Sequence, residues 1–234
     1  MNIVSIIPAR GGSKSIPRKN IKIVGGSPLI KYSIDYSLEC ELVNKTVVST
    51  EDEEISKYAK KFNVEVVKRP KYLAKDLTPD YPVIKHSLFA LEKKYKEKID
   101  LLVILRPTSP LRPKKLIEKG IKILKSNPKA TSVRAVTEVK QHPYRMWKKN
   151  SKYISSFINN RDLKLNEPYN KPRQILPKVF FQTGDIEIVR RSTILAGSVS
   201  GNKILPIFLN RNTVFDIDSL EDLKKVESKI KDHE

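Results

Sequence analysis

A single cysteine, Cys40, stands among 234 residues, which excludes an internal disulfide framework and leaves no thiolate cluster for a metal. A reducing cytoplasm is the expected setting. Histidine is nearly as scarce. His86 falls in a helical stretch, His142 precedes a proline in a turn, and His233 lies in a C-terminal tail. None has a cysteine or carboxylate at metal-ligand spacing, so histidine-based acid–base or nucleophilic catalysis is disfavoured. Long apolar runs are also missing. The longest, Ile3 to Pro8 and Leu101 to Leu105, cannot cross a bilayer, and no basic-then-apolar leader pattern is present, so no membrane association is expected. There is no internal repeat and no low-complexity linker.

Lysine is what the chain has in excess, and the net charge is +20. Such a balance fits either a nucleic-acid footprint or a solvated lysine-rich surface. The lysines are spread over every helical stretch, with no single block interleaved with aromatics, which favours the surface explanation. A basic nucleic-acid-binding or regulatory protein remains the alternative from another class.

Short apolar runs of β character alternate with amphipathic stretches through the first 140 residues. Strands are expected at Ile3 to Ile7, Thr46 to Ser49, Val64 to Val67, Leu101 to Leu105 and Thr131 to Val136. Between them, Leu29, Ile30, Ile34 and Leu38 recur at helical spacing, as do Ile55, Tyr58, Ala59 and Phe62. Val83, Ile84, Leu88 and Leu91, then Leu116, Ile117, Gly120, Ile121 and Leu124, mark two more helices. This alternation implies βαβ units, hence an α/β, doubly wound, mostly parallel sheet. The pattern breaks from His142 to Pro177, which is expected to be a small excursion or dimerisation arm within one domain spanning residues 1–234. In it, Met146 and Trp147 are expected to pack an interface. Val179 to Val189 and Ile204 to Leu209 resume as strands, and Leu220, Leu223, Val226 and Ile230 form the face of a last helix.

In an open parallel sheet, ligands bind beyond the carboxyl ends of the strands. The first strand runs into Ala9-Arg10-Gly11-Gly12-Ser13-Lys14, the second into Ser49-Thr50-Glu51-Asp52, the third into Lys68-Arg69, and the fourth into Arg106-Pro107-Thr108-Ser109-Pro110-Leu111-Arg112. Three of these four ends carry guanidinium groups, which suit an anion. In the loop from Ala9 to Asn20, two glycines allow close backbone approach and an N–H nest, with Arg10, Lys14 and Lys19 around it. The loop matches neither G-x-x-x-x-G-K-[ST] nor G-x-G-x-x-G. Near the C-terminus, alternation along Asp216-Ile217-Asp218 would point both carboxylates the same way, which suits magnesium. Capping of the last helix by Asp218 or Ser219 explains the same residues equally well.

Taken together, Ile7-Pro8-Ala9-Arg10-Gly11-Gly12-Ser13-Lys14-Ser15-Ile16-Pro17-Arg18-Lys19-Asn20 resembles the signature of the acylneuraminate cytidylyltransferases. Val48 to Asp52, Arg69-Pro70, Leu73 to Asp76, Pro107 to Arg112, Pro172-Arg173-Gln174 and Asp216 to Asp218 support the resemblance, which runs from Ile3 to about Lys229. It implies a nucleotide-diphospho-sugar-transferase-like fold and transfer of CMP from CTP to an acidic sugar such as sialic, legionaminic or pseudaminic acid. A homodimer that exchanges an arm is implied too. Nucleotide binding would fall to Ala9, Arg10, Gly11, Gly12, Ser13, Lys14, Lys19, Asn20, Arg69 and Asp76. Catalysis would rest on Arg10, Lys14, Lys19, Asp216 and Asp218, with magnesium on the two aspartates.

The acceptor sugar would meet Thr108, Ser109, Arg173, Gln182 and Thr183, with Arg106 added by this chain. Departures gather at that end. Arg106 replaces a glutamine, and Phe181-Gln182-Thr183-Gly184-Asp185 replaces Arg-Pro-Asn-Gly-Ala. Phe181 cannot pair with a carboxylate, and Asp185 would repel one if it faced the pocket. Arg106 either restores the lost charge or binds a sugar phosphate, which leaves a sugar-1-phosphate nucleotidyltransferase as the second enzymatic reading.

Overall fold

The computed structural model describes residues 1–158 and 165–231, so the expectation for His233 lies outside the described residues. Its main sheet has seven strands in the order β11-β7-β10-β6-β1-β4-β5. These are β1 (Ile3–Pro8), β4 (Lys45–Thr50), β5 (Glu65–Lys68), β6 (Leu101–Ile104), β7 (Ser132–Glu138), β10 (Phe180–Arg190) and β11 (Ile204–Leu209). All neighbours pair in parallel except β10, which runs antiparallel to both β6 and β7. The sheet is therefore mostly parallel, with one reversed strand inserted near its middle.

The central strands are apolar on both faces because both faces are covered. On one side lie α1 (Leu29–Leu38), α2 (Glu53–Lys61) and α4 (Leu116–Ser126), which bury Ile30, Ile34, Ile55, Ala59, Ile117 and Ile121 against Ile7, Val48 and Val103. On the other lie α3 (Asp80–Tyr95) and the short α5 (Arg191–Leu195), with Ile84, Leu88, Leu91 and Ile194 on Ile6, Leu102 and Ile104. Leu38 departs from the expected α1 face and is half exposed, since the helix ends there and turns toward solvent.

A third, smaller core matters most for the site. The last helix, α6 (Leu220–Lys231), packs Leu223, Val226 and Ile230 on Ile16, Val24, Leu29 and Ile217. Val24 belongs to a two-strand ribbon, β2 (Ile23–Val24) with β3 (Ser27–Pro28). The chain's first long loop is thus fixed by its last helix. The excursion holds an exposed hairpin, β8 (Trp147–Asn150) with β9 (Tyr153–Ser156). At its base the His142 ring lies 3.0 Å from the Pro177 carbonyl, and its Nδ1 accepts from the Tyr144 N–H, so His142 serves a turn.

Candidate active site

Beyond β1, the Ala9 N–H donates to the Ser49 carbonyl, extending the ladder by one residue into the loop. The Gly11 N–H donates to Glu51 Oε1 at 2.7 Å. A Cβ on Gly11 would lie 2.4 Å from Asp52 Oδ2, so only glycine allows this approach, whereas a Cβ on Gly12 would meet nothing within 4 Å. The Asn20 amide donates to the Arg10 carbonyl at 2.8 Å and is buried, holding the loop's curvature from within. Arg18, in a left-handed conformation, pairs with Asp52 and Glu54 and ties the loop to the start of α2. Ile16 is fully buried in the third core.

This scaffold brings the expected cations together. Arg10 Nη1 lies 3.0 Å from Asp76 Oδ1, and Lys14 Nζ lies 2.9 Å from Asp76 Oδ2. The ammonium of Lys14, helped by Arg10, holds the Asp76 carboxyl below its ordinary range. Lys19 Nζ donates to the Ile217 carbonyl at 2.9 Å and stands 3.7 Å from Asp218 Oδ1. The Ile217 N–H donates to the Thr108 carbonyl at 2.8 Å, so the end of β6 joins the same junction.

Between Asp216 and Asp218, Ile217 is fully buried, and both aspartates emerge on the solvent side. Neither caps α6. The Ser219 hydroxyl accepts from the Asp222 N–H at 3.2 Å, and Asp222 Oδ2 accepts from the Ser219 N–H at 2.9 Å, a reciprocal box that serves the helix start. Although Asp216 is open to solvent as a residue, burial of its carboxyl, reinforced by the Asp218 charge, raises its pKa above the ordinary value of 3.8. An oxygen pair in that electrostatic setting fits a hard cation such as magnesium.

The strand-end arginines behave differently from the sequence expectation. Arg69 is 5% exposed and turns inward, donating to the Ser49 carbonyl at 2.8 Å. Arg112 is also buried. It donates to the carbonyl of Asp185 at 2.6 Å and to Ser33 Oγ at 3.0 Å, and its third bond goes to the Arg106 carbonyl. Burial brings its pKa down to about 10. Both guanidinium groups brace the strand ends, because each finds backbone carbonyls nearer than any cleft.

Asp185 does not face a pocket. It is 1% exposed, its carboxylate has no hydrogen bond of normal geometry, and burial raises its pKa while Thr183 and the Arg112 charge oppose the shift. Phe181 is largely exposed on β10. Ser109 and Thr183 are buried, and the Ser109 hydroxyl is unpartnered at the close approach of Gly184, where a Cβ would lie 2.5 Å from Ser109 Oγ and 3.5 Å from the Asp216 carboxylate. Gln182 Oε1 accepts from Arg134, and Arg173 donates to the carbonyls of Val139 and Lys140 at the base of the arm.

Arg106 is not a bare cation either. Its guanidinium pairs with Asp80, the first residue of α3, and with Glu187 at 3.4 Å. Glu187 is fully buried, and the Arg134 guanidinium also pairs with it at 2.6 Å, directly across the β7–β10 register. Asp80, Glu187 and Arg134 were not foreseen from the sequence, and Glu51 was placed at a strand end without a role. The one available signal was an acid inside the apolar run Ile186-Glu187-Ile188.

With this geometry in hand, comparisons with known proteins are specific. A family model described as cytidylyltransferase matches residues 4–169. Post-translational flagellin modification protein B of Campylobacter coli is 32% identical over 98% of this chain and 95% of its own length. The CMP-N,N'-diacetyllegionaminic acid synthase of Campylobacter jejuni is 32% identical over 96% of this chain and 93% of its own. Among solved structures, CMP:2-keto-3-deoxy-manno-octonic acid synthetase, complexed with CTP, shares the fold with a TM-score of 0.72 at 15% identity, covering 100% of both chains.

Proposed function

The chain belongs to the cytidylyltransferase family and is a nucleotidyltransferase, and on that premise we propose that it transfers CMP from CTP to an acidic sugar of the nonulosonic class. The observation that carries this proposal is the Lys19 to Ile217 hydrogen bond, which holds the cationic loop beside Asp216 and Asp218. Cations for a polyphosphate and hard oxygen donors in one cleft are what a magnesium-bound nucleoside triphosphate requires. Magnesium, held by Asp216 and Asp218, would neutralise charge on the phosphates.

Arg10, Lys14 and Lys19, with the backbone from Ala9 to Ser13, bind and orient the triphosphate. Asn20 and Arg69 keep their surroundings rigid. A hydroxyl oxygen of the sugar attacks the α-phosphorus, the bond from that phosphorus to the bridging oxygen breaks, and pyrophosphate leaves. The hydroxyl proton passes to water. Such a step gains most from positioning and charge stabilisation, which agrees with a site of arginines, lysines and aspartates. The acceptor end is assigned to Arg106, Thr108, Ser109, Gln182 and Thr183, with Arg173 fixing the base of the arm. A nonulosonic acceptor is supported by the activity named for the C. jejuni relative.

Trp147, Ile154 and Phe157 are exposed on the arm, and Phe180 packs against Phe208 on the sheet with both rings open to solvent, apolar area that a second copy of the chain could cover. We read the enzyme as a homodimer on that basis. CTP as donor and one buried cysteine fit the cytoplasm, and no helix among the described residues is long and apolar enough to cross a membrane. A pyrophosphate-release screen crossing four nucleoside triphosphates with acidic sugars and sugar phosphates tests the assignment. Release with CTP and N,N'-diacetyllegionaminic acid is expected, and release with a hexose 1-phosphate alone would overturn it.

A further inference from the structure

The segment from Leu73 into the first turn of α3 carries two carboxylates, each paired with cations of the candidate site. Asp76 spans Arg10 and Lys14 with one oxygen each. Four residues on, Asp80 pairs with Arg106, just past the end of β6. These three cations are the ones assigned above to a triphosphate and to an acidic acceptor. We propose that Asp76 and Asp80 set the two substrate affinities, by standing on those cations where the triphosphate and the acceptor's carboxylate bind. The proposal rests on the functional reading above, since it needs one anion on Arg10 and Lys14 and another on Arg106.

The way the segment is held supports displacement. Leu73 is buried at one end, and α3 anchors the other through Val83, Ile84 and Leu88. Between them Leu77 is 95% exposed, so no apolar side chain pins the crest. A backbone bond within it is local, from the Thr78 N–H to the Lys75 carbonyl. What fastens the crest to the loop is the pair of contacts made by Asp76, and these are solvent-exposed ion pairs that a phosphate carrying more charge can replace. Arg106 differs, because it also pairs with the fully buried Glu187, while Asp80 is nearly half exposed. An incoming carboxylate can therefore exchange with Asp80 without unseating the arginine.

The experiment uses the full-length chain and two single variants. Calorimetric titration with inorganic tripolyphosphate, and separately with CTP, reads the first site without any acceptor. Asp76→Asn should bind both about two- to fivefold more tightly, the range expected for removing an exposed competing pair. Weaker or unchanged binding would overturn the assignment of Asp76. For the second site, Asp80→Asn should lower the apparent KM for the acidic acceptor by a similar factor and leave the CTP KM near wild type. A raised or unchanged acceptor KM would overturn the assignment of Asp80. Because Asp80 also lies in the first turn of α3, where negative charge favours the helix, Asp80→Ser repeats the test if the asparagine variant unfolds. A wild type that binds tripolyphosphate and ignores CTP would defeat the functional reading and leave the Asp76 result standing.

Discussion

Lys19 and Ile217, 198 residues apart in sequence, meet through a 2.9 Å hydrogen bond from the lysine ammonium to the isoleucine carbonyl. The same ammonium lies 3.7 Å from Asp218, so one side chain faces both the phosphate loop and the paired aspartates. Lys19→Ala should lower turnover by about 10²–10³, the usual loss when one stabilising donor is removed from a transition state. Circular dichroism should show the fold retained. Near-normal turnover would remove the loop from the chemistry.

The α6 cap and the candidate metal pair are separable by mutation. Ser219→Ala should cost roughly 0.5–2 kcal/mol of stability, because it removes the acceptor for the Asp222 N–H. Its magnesium titration should match wild type. Asp218→Asn should do the opposite, losing most magnesium-supported activity with little change in melting temperature.

Asp216 carries a pH signature. Its folded-state pKa lies above 3.8, so the native state holds this proton more tightly than the unfolded chain. The associated stability is full below about pH 3.8 and is lost as pH rises through the folded-state value. Asp216→Asn should therefore be more stable than wild type at neutral pH, while nearly inactive. The two should converge in denaturant titrations as pH falls below the ordinary aspartate value. A variant less stable than wild type at pH 7 would contradict this.

Gly11 and Gly12 should respond differently to alanine. At Gly11 the new methyl would collide with Asp52, disturbing the Arg18 pair and the Glu51 bond, so melting temperature and activity should both fall. Gly12→Ala meets no protein atom and should keep its melting temperature while raising the KM for CTP. That outcome would place a phosphate over Gly12, whereas unchanged kinetics would place it elsewhere.

Much of this was legible because the strands and helices differ in period. The runs Ile3 to Ile7 and Leu101 to Leu105 are buried on both faces, and the faces of α3 and α4 recur at three and four residues. The Ala9 to Asn20 loop and the pair Asp216 and Asp218 could be singled out because each is contiguous in the sequence. The Asp80–Arg106–Glu187–Arg134 chain was not legible, because Glu187 joins it only once β10 is placed antiparallel between β6 and β7. An apolar run carries no direction, and the register that sets Glu187 opposite Arg134 follows from that reversal. The inward turn of Arg69 and Arg112 was hidden for a related reason: their partners are backbone carbonyls and a serine hydroxyl, which carry no mark in the sequence. Helix α5, at five residues, is too short for a period to show.

Arg112 gives the sharpest stability test. Arg112→Met removes three hydrogen bonds, to the carbonyls of Asp185 and Arg106 and to the Ser33 hydroxyl, and a buried acceptor left without its donor costs about 1–3 kcal/mol. Urea unfolding should show a loss of at least that size, and a change below about 1 kcal/mol would mean that the guanidinium does not brace the strand ends.

The central claim is that a nucleoside monophosphate is joined directly to a sugar hydroxyl. Phosphorus NMR of the wild-type enzyme with CTP, magnesium and N,N'-diacetyllegionaminic acid tests it most directly. The account predicts one new phosphodiester resonance and an equal amount of pyrophosphate. A sugar-linked diphosphate formed from a hexose 1-phosphate, with no phosphodiester from the acidic sugar, would contradict it.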